Sequence, residues 1–222
     1  MSRNIIQEII DKIRGKKTFR DCKNRVRRDF PLSDISLDDN SMLHYEFLDN
    51  LSIGKYSYGQ INVSWFNKNT KLTIGSFCSL SRKVNILLGG NHYFHTLSTF
   101  PIANKIFNTG VSINYTFKED ITIKDDVWIG ENATLLHGVT IGQGAIIGTN
   151  ATITKDVPPY AIVVGDNRII KYRFSEEIIN ELLSFVDYEK FNYDMAKEYL
   201  EFISNTDVTM ENINEFKKFF NN

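Results

Sequence analysis

The residues of this chain best suited to proton transfer near neutral pH are its four histidines, because an unperturbed imidazole titrates in that range. His92 is the strongest candidate for a general base, since it follows a Gly-Gly-Asn sequence and opens a long segment expected at the surface. His95, three residues later, could contact an acceptor substrate or orient His92. His137 stands beside a glycine within a repeat and is expected to be structural, whereas His44 indicates nothing.

A metal site is the main alternative role for these histidines. His92 and His95 are three residues apart and His137 could join them, but no cysteine or carboxylate motif completes a zinc set. A nucleophile with an adjacent base is not evident either. A catalytic histidine in this chain would therefore act as a general base, without a metal and without a covalent enzyme intermediate.

A six-residue repeat between residues 123 and 158 must position these side chains. This period fits neither a helix nor a simple strand. It is typical of a stacked parallel β-helix, in which each hexad forms one short strand and one corner, with the large residue pointing inward. Large aliphatic residues occupy one phase and small residues follow four positions after each: Ile123, Ile129, Leu135, Ile141, Ile147 and Ile153, then Val127, Ala133, Val139, Ala145, Ala151 and Val157.

The same phase occurs earlier, at Ile74, Leu80 and Ile86, and a more isolated copy begins at Ile53. Between about residues 93 and 120 the repeat stops, which predicts a loop outside the stack. A loop of that length is usually functional. Its residues, together with Tyr56 and Tyr58, are expected to decide which acceptor is used.

Two further features of the repeat concern its corners and its outer surface. Gly130, Gly142 and Gly148 directly follow inward aliphatic residues, and we expect them to provide the tight turn geometry of the corners. Trp128 precedes an inward aliphatic residue, so its side chain should face outward. An outward tryptophan indicates either a subunit interface or a platform for a ligand.

Composition limits the class of protein. With 222 residues and 42% hydrophobic residues, the chain can form one packed domain with terminal additions. A net charge of −1 indicates no bulk attraction to nucleic acid or to anionic membrane. The sequence contains neither an apolar run of the ~18 residues that a membrane span needs nor a signal peptide, so we expect a cytoplasmic protein. Its two cysteines form no disulfide framework, and Cys78 should be a buried thiol.

Both ends of the chain depart from the repeat. Residues 1–50 are expected to form an N-terminal extension that is partly helical, and residues 51–174 to form the mainly β domain with its ejected loop at about 93–120. Ser175 can cap a helix whose first turn carries two glutamates. Residues 175–222 should therefore form C-terminal helices, which we expect to cover the open end of the stack.

Several segments resemble the hexapeptide-repeat xenobiotic acetyltransferases, the group that includes enzymes acting on chloramphenicol and streptogramins. Residues 88–92 and 98–101 resemble the Gly-Asn-His and Ser-Thr-Tyr-Pro segments of that family. Residues 126–130 match its Asp-Val-Trp-Ile-Gly, residues 154–160 its Thr-Lys-Asp-Val-Pro-Pro-Tyr, and residues 173–174 its closing Arg-Phe. The sequence departs from the family after His92, where Tyr-Phe-His-Thr replaces Arg-x-Asp-Trp, and after Gly165, where Asp-Asn-Arg replaces Asn-Pro-Ala.

The resemblance implies a left-handed parallel β-helix that assembles as a homotrimer, with acetyl-coenzyme A in a groove between subunits. It implies that His92 is the base and that Trp128 borders the pantetheine arm. It also implies that four more residues contact the coenzyme: Glu131, Thr149, Thr154 and Lys155. Among them, the cationic Lys155 suits the coenzyme's phosphates.

Three functions remain open at this point. We expect acetyl transfer to a hydroxyl, or an amine, of a carbohydrate or sugar-containing acceptor. The alternative within the same chemistry is an antibiotic hydroxyl, as in chloramphenicol or streptogramin acetylation. A non-enzymatic trimeric scaffold would keep the hexads but has no need for the Gly-Asn-His segment and an outward Trp128.

Overall fold

The structure, a computed structural model, describes residues 24–30, 33–37, 45–109, 120–191 and 193–221. The strands are β1 Asp34–Leu37, β2 Leu51–Ile53, β3 Tyr58–Trp65, β4 Leu72–Ile74, β5 Ser79–Leu88, β6 Ile121–Ile123, β7 Trp128–Ile129, β8 Thr134–Leu135, β9 Thr140–Ile141, β10 Ile146–Ile147, β11 Thr152–Ile153, β12 Ala161–Val164 and β13 Arg168–Tyr172. The helices are α1, which includes residues 24–29, α2 Ile102–Lys105, α3 Glu176–Phe185, α4 Tyr193–Glu198, α5 Leu200–Asn205 and α6 Ile213–Asn221. Tyr45–Asn50 and Tyr188–Lys190 form 3₁₀ turns.

The strands wind around a prism with three faces. The first face contains β1, the beginnings of β3 and β5, then β7, β10 and β12. The second contains the ends of β3 and β5, then β8 and β11, and the third contains β2, β4, β6 and β9. Pairing between coils is parallel in each face. Between residues 122 and 153 it joins residues eighteen apart, as in Ile123 with Ile141, so three hexads make one coil there. The mainly β, left-handed parallel β-helix implied by the resemblance is confirmed.

The core of the prism consists of the two phases of the repeat. Each of the twelve residues in these phases between positions 123 and 157 is at most 4% exposed. The earlier copies follow the same rule, because Ile74, Leu80 and Ile86 are also buried. Removing these side chains from water supplies the main stabilisation of the repeat, whose strands between residues 121 and 153 are only two or three residues long.

We expected the glycines at 130, 142 and 148 to provide the turn geometry of the corners, but other residues adopt the left-handed backbone there. The left-handed backbone region, with positive φ, occurs at every sixth residue, at Asp126, Asn132, Gly138, Gly144 and Asn150. Aspartate, asparagine and glycine are the residues that adopt this region most readily. The glycines at 130, 142 and 148 instead permit close approach of the next coil: a Cβ at position 142 would lie 2.4 Å from the nitrogen of residue 159.

Cys78 lies in a small inward slot, as expected, and is fully buried. Its Sγ donates to the carbonyl oxygen of Lys124 at 3.1 Å. Burial raises the pKa of the Cys78 thiol to about 12, so the reactive thiolate is suppressed at neutral pH. Because the unfolded chain ionises near the ordinary value and the folded chain does not, this thiol opposes folding only as pH rises above about 9.

Thiol labelling tests this inward slot. In a Cys22→Ser background, which leaves Cys78 as the only cysteine, we expect negligible reaction with a disulfide reagent at pH 8 in the folded protein. Reaction should become complete once guanidinium unfolds the chain. Rapid labelling of the folded protein would contradict the assignment of Cys78 to the core.

The C-terminal segment does not simply cover the open end of the prism, as we expected of its helices. Strand β13 covers that end by pairing antiparallel with β12. Beyond it, Ser175 caps α3 as predicted, accepting from the backbone N–H of Ile178. The 3₁₀ turn Tyr188–Lys190 then lies against the corner between the third and first faces. There the ring of Phe77 contacts the rings of Tyr188 at 5.2 Å and Phe191 at 4.6 Å. The segment thus runs back along one corner of the prism.

The chain leaves the stack at the corner between the second and third faces, after β5, and returns at β6. The described part of this excursion contains the short helix α2 and otherwise lacks regular structure up to residue 109. Several of its apolar side chains are exposed, including Phe94 at 62% and Leu97 at 104%. His44 and Cys22 lie outside the described residues.

Candidate active site

His92 lies four residues beyond the end of β5, at the corner between the second and third faces, and is exposed. Its Nδ1 is 2.7 Å from the carbonyl oxygen of Thr99. A carbonyl oxygen can only accept a hydrogen bond, so Nδ1 carries the proton and donates it. The lone pair therefore resides on Nε2, which makes that atom the base of the imidazole.

The loop that holds His92 is closed by its own hydrogen bonds. The Thr96 hydroxyl donates to the carbonyl of Ser98 at 2.8 Å, and the Ser98 hydroxyl accepts from the N–H of Phe100 at 3.1 Å. These bonds shape the segment that presents the Thr99 carbonyl to His92. The ring of His95 instead packs on Phe94 at 4.4 Å. The orienting contact of His92 is thus a backbone carbonyl, which the sequence did not indicate.

Trp128 is 53% exposed and faces outward from the first face, as predicted. Its neighbours in the adjacent coils are Ser79 and Ile146. From Tyr58 onwards, the outward residues in line with Trp128 on the first face are mostly apolar, whereas the rows through Thr134 on the second face and Thr122 on the third carry hydroxyl or amide groups. The first face presents Tyr58, Ser79, Trp128, Ile146 and Ile162; the second presents Asn62, Asn85, Thr134 and Thr152; the third presents Ser52, Thr73, Thr122 and Thr140.

Glu131 and Thr149 lie at the corner between the first and second faces, in adjacent coils. Both are exposed. The coils approach closely here, because the carbonyl of Glu131 accepts from the N–H of Asn150 at 3.0 Å. Trp128, Glu131 and Thr149 consequently share one side of the prism.

Thr154 and Lys155 lie at the corner between the second and third faces, beyond β11, and both are exposed. The N–H and the hydroxyl of Thr154 donate to Oδ1 of Asn167 at 2.6 and 2.9 Å. The Lys155 ammonium has no partner among the residues that the structure describes. This corner is the same one from which the His92 loop departs.

The predicted site residues therefore form two groups on different sides of one chain. His92, Thr154 and Lys155 lie at one corner, while Trp128 faces outward from the first face, which is opposite that corner in a triangular prism. Within a single chain the structure does not bring His92 and Trp128 together.

Two segments that carry the family resemblance meet in a structural role. The Arg173 guanidinium donates to Asp126 at 2.9 Å and to the carbonyl of Gly144 at 2.8 Å. It also lies over the ring of Tyr160 at 5.5 Å. Burial raises the pKa of the Tyr160 hydroxyl. It also raises the pKa of the Tyr188 hydroxyl, which lies beside Asp126, well above its usual range. This cluster fixes the corner that leads into Trp128.

A pocket of about 490 Å³ lies against the first face, on the side of the prism that carries Trp128, Glu131 and Thr149. Its lining is almost entirely polar and includes side chains that the sequence pattern did not single out, such as Gln60, Ser81 and Arg82, together with Tyr58 and Glu131. A larger pocket of about 580 Å³ lies along the third face, and none of the predicted site residues lines it. The smaller pocket, of about 490 Å³, is therefore the one that belongs to the candidate site.

The described residues contain neither a grouped set of metal-binding side chains nor a helix suited to a membrane. No three side chains of His, Cys, Asp or Glu are grouped so that they could hold a metal ion. None of the described helices is both long enough and apolar enough to cross a membrane.

Residues 120–155 match the family described as bacterial transferase hexapeptide (six repeats). The virginiamycin A acetyltransferase of Staphylococcus aureus is 40% identical over an alignment of 181 residues, and the match covers 73% of this chain and 80% of that protein. A probable macrolide acetyltransferase of Lysinibacillus sphaericus is 33% identical over an alignment of 188 residues, and the match covers 81% of this chain and 92% of that protein.

Solved structures agree in fold. A hexapeptide-repeat acetyltransferase of Vibrio cholerae superposes with a TM-score of 0.52 at 19% identity, covering 73% of this chain and 90% of that one. A maltose O-acetyltransferase of Clostridium difficile gives 0.50 at 23% identity, covering 78% and 90%. Together with the two relatives above 30% identity, these matches show that the chain is an acyltransferase and belongs to the hexapeptide-repeat acetyltransferase family.

Proposed function

We propose that this protein transfers the acetyl group of acetyl-coenzyme A to a hydroxyl, or an amine, of a small acceptor, with His92 as the general base. The observation that carries this proposal is the hydrogen bond from His92 Nδ1 to the Thr99 carbonyl, which leaves Nε2 basic. The curated relatives are acetyltransferases, and a Vibrio cholerae relative in fold was solved in complex with acetyl-coenzyme A.

In this mechanism, transfer is direct. His92 Nε2 takes the proton of the acceptor hydroxyl as its oxygen attacks the thioester carbonyl carbon. The carbon–oxygen bond forms, the carbon–sulfur bond breaks, and the proton passes from His92 to the departing thiolate. Since no described nucleophile stands beside His92, the proposal includes no acetyl-enzyme.

The active form in this proposal is a homotrimer. The two groups of site residues lie on different sides of one chain, so a complete site requires a second copy. A C3 arrangement supplies this by placing the His92 corner of one copy against the first face of the next, three times over. The row of apolar residues on the first face, with Tyr58 and Trp128 more than half exposed, supports burial there.

Acetyl-coenzyme A would then lie between two copies. Trp128, Glu131 and Thr149 from one copy would border the pantetheine arm, and Thr154 and Lys155 from the other would lie near the phosphates. Lys155 suits this role because its exposed ammonium can donate to phosphate oxygens. No metal has a part in the proposal.

For the acceptor, we propose a carbohydrate or sugar-containing molecule. The pocket of about 490 Å³ has room for a small sugar and offers the hydroxyls of Tyr58 and Ser81, the Gln60 amide and the Arg82 guanidinium. Such convergent donors and acceptors match an acceptor rich in hydroxyl groups. Cytoplasmic location is part of the same proposal.

A streptogramin or macrolide hydroxyl is the second candidate acceptor. It is favoured by the names of the two curated relatives. It is also favoured by the exposed apolar side chains that follow His92, such as Phe94 and Phe100, which suit a large lipophilic ring.

An acceptor screen tests the proposal. Release of the free thiol of coenzyme A should be measured with purified protein against a panel of sugars, sugar nucleotides, streptogramins, macrolides and chloramphenicol. We expect saturable release with members of one acceptor class and little with the rest. If calorimetry detects no binding of coenzyme A and no acceptor stimulates thiol release, the protein is a scaffold and the proposed activity is refuted.

A further inference from the structure

Asn167 holds the backbone of the corner that carries Lys155. Its Oδ1 accepts from the N–H and the hydroxyl of Thr154 at 2.6 and 2.9 Å, and its Nδ2 donates to the carbonyl of Lys155 at 3.0 Å. One side chain therefore satisfies polar groups on both sides of the peptide bond between Thr154 and Lys155. We call this arrangement the Asn167 clamp.

The clamp is made possible by the way the last coil ends. The N–H of Thr152 donates to the carbonyl of Gly165 at 2.9 Å, which brings residues 165–167 alongside residues 152–155. Asn167 then adopts the left-handed region with φ of 55°, from which its amide reaches the preceding coil. Asparagine is among the few residues other than glycine that adopt this conformation readily.

The hydrogen bonds of the clamp also determine which groups of Thr154 and Lys155 can bind a ligand. The Thr154 hydroxyl already donates its hydrogen to Asn167, so toward a phosphate, which is itself an acceptor, it has no donor left. The Lys155 side chain is exposed, and its ammonium makes no hydrogen bond or ion pair with any described residue, whereas its backbone carbonyl is held by Asn167. A cation on a long flexible stem binds more tightly when its point of attachment is fixed in advance.

We propose that Asn167 is a positioning residue that aims Lys155 at the phosphates of coenzyme A. This inference rests on the proposed function, because it takes Lys155 as a coenzyme ligand. Asn167 itself touches no ligand in this account. Its contribution to coenzyme affinity passes entirely through the backbone of Lys155.

A double-mutant cycle tests the proposal through the Kd for coenzyme A, measured by calorimetry without any acceptor. Asn167→Gly removes the side chain while glycine keeps the left-handed backbone at no steric cost. In the parent protein it should raise Kd about three- to tenfold, the size expected for residues that act as one unit. In a Lys155→Met background the same change should alter Kd by less than about twofold.

Asn212→Gly provides a matched control. Asn212 makes the same kind of clamp far from the site, accepting from the N–H of Thr209 at 2.9 Å and donating to the carbonyl of Asp207 at 2.8 Å. Its loss should lower the melting temperature and leave Kd for coenzyme A unchanged within about twofold. If a less stable fold were enough to weaken coenzyme binding, Kd for coenzyme A would therefore rise in both asparagine variants.

The outcomes separate this inference from the function on which it rests. Equal loss of affinity from Asn167→Gly in the parent and Lys155→Met backgrounds would overturn the positioning role, as would an unchanged Kd in the parent. Absence of coenzyme A binding by the parent protein would instead refute the proposed function.

Discussion

Replacement of His92 by alanine is expected to lower kcat by roughly 10²–10⁴, the range typical of a lost general base. The physical reason is that Nε2 is the atom that takes the acceptor's proton, while Nδ1 is engaged with the Thr99 carbonyl at 2.7 Å. Affinity for coenzyme A, measured by calorimetry, should stay within about twofold, because the substitution removes proton transfer and no coenzyme contact.

His95→Ala is the matched control for this experiment. His95 is a histidine of the same loop, also exposed, but its ring packs on Phe94. Its removal should affect acceptor KM more than kcat. A His92→Ala enzyme that retains turnover within a few-fold of the parent would remove His92 from the mechanism.

Truncation of Ile141 to alanine is expected to lower the free energy of unfolding by about 2–5 kcal/mol, as for other core truncations. Ile141 is fully buried and pairs with Ile123 in the coil below, so the lost methyl and methylene groups leave a cavity between short strands. Denaturant unfolding at a fixed protein concentration measures the change, since assembly would make the midpoint depend on concentration.

Ile106→Ala is the control, because the chemical change is identical and the Ile106 side chain is 63% exposed in the ejected loop. Its effect should stay within about 0.5 kcal/mol, as for most surface substitutions. Equal destabilisation by the two substitutions, or none by Ile141→Ala, would mean that the inward phase of the repeat is misassigned.

The repeat made the fold accessible to sequence reasoning because its period in the chain equals its period in space. Each hexad meets the same environment as the next, so a residue's phase predicts whether it is buried. This correctly placed Ile141 and Cys78 inside and Trp128 outside. The family and its fold are confirmed, whereas the roles of His92, Trp128, Glu131, Thr149, Thr154 and Lys155 stay predictions.

Corner geometry shows where a local pattern can mislead. Glycines at a fixed phase suggested that they provide the tight turn geometry of the corners, but this phase is where the next coil passes closest. The left-handed positions carry Asp126, Asn132 and Asn150 among others, and aromatic residues occupy some of them, as at Phe77 with φ of 59°. Packing of the C-terminal 3₁₀ turn against Phe77 accompanies that strained backbone.

The base role of His92 and the left-handed winding came from the family resemblance, and the base role stays a prediction. The inward and outward phases and the parallel β-helix could be predicted from the order of residues, because each depends on neighbours within a few positions. Contacts between segments far apart in the chain could not be predicted in this way. Lys55 donates to the carbonyl of Glu189 across 134 residues, the Asn167 clamp joins a turn to an earlier coil, and His92 takes its orientation from a backbone carbonyl that has no sequence signature. Such pairings arise only when the closed coils bring distant segments together, and no period in the chain encodes them.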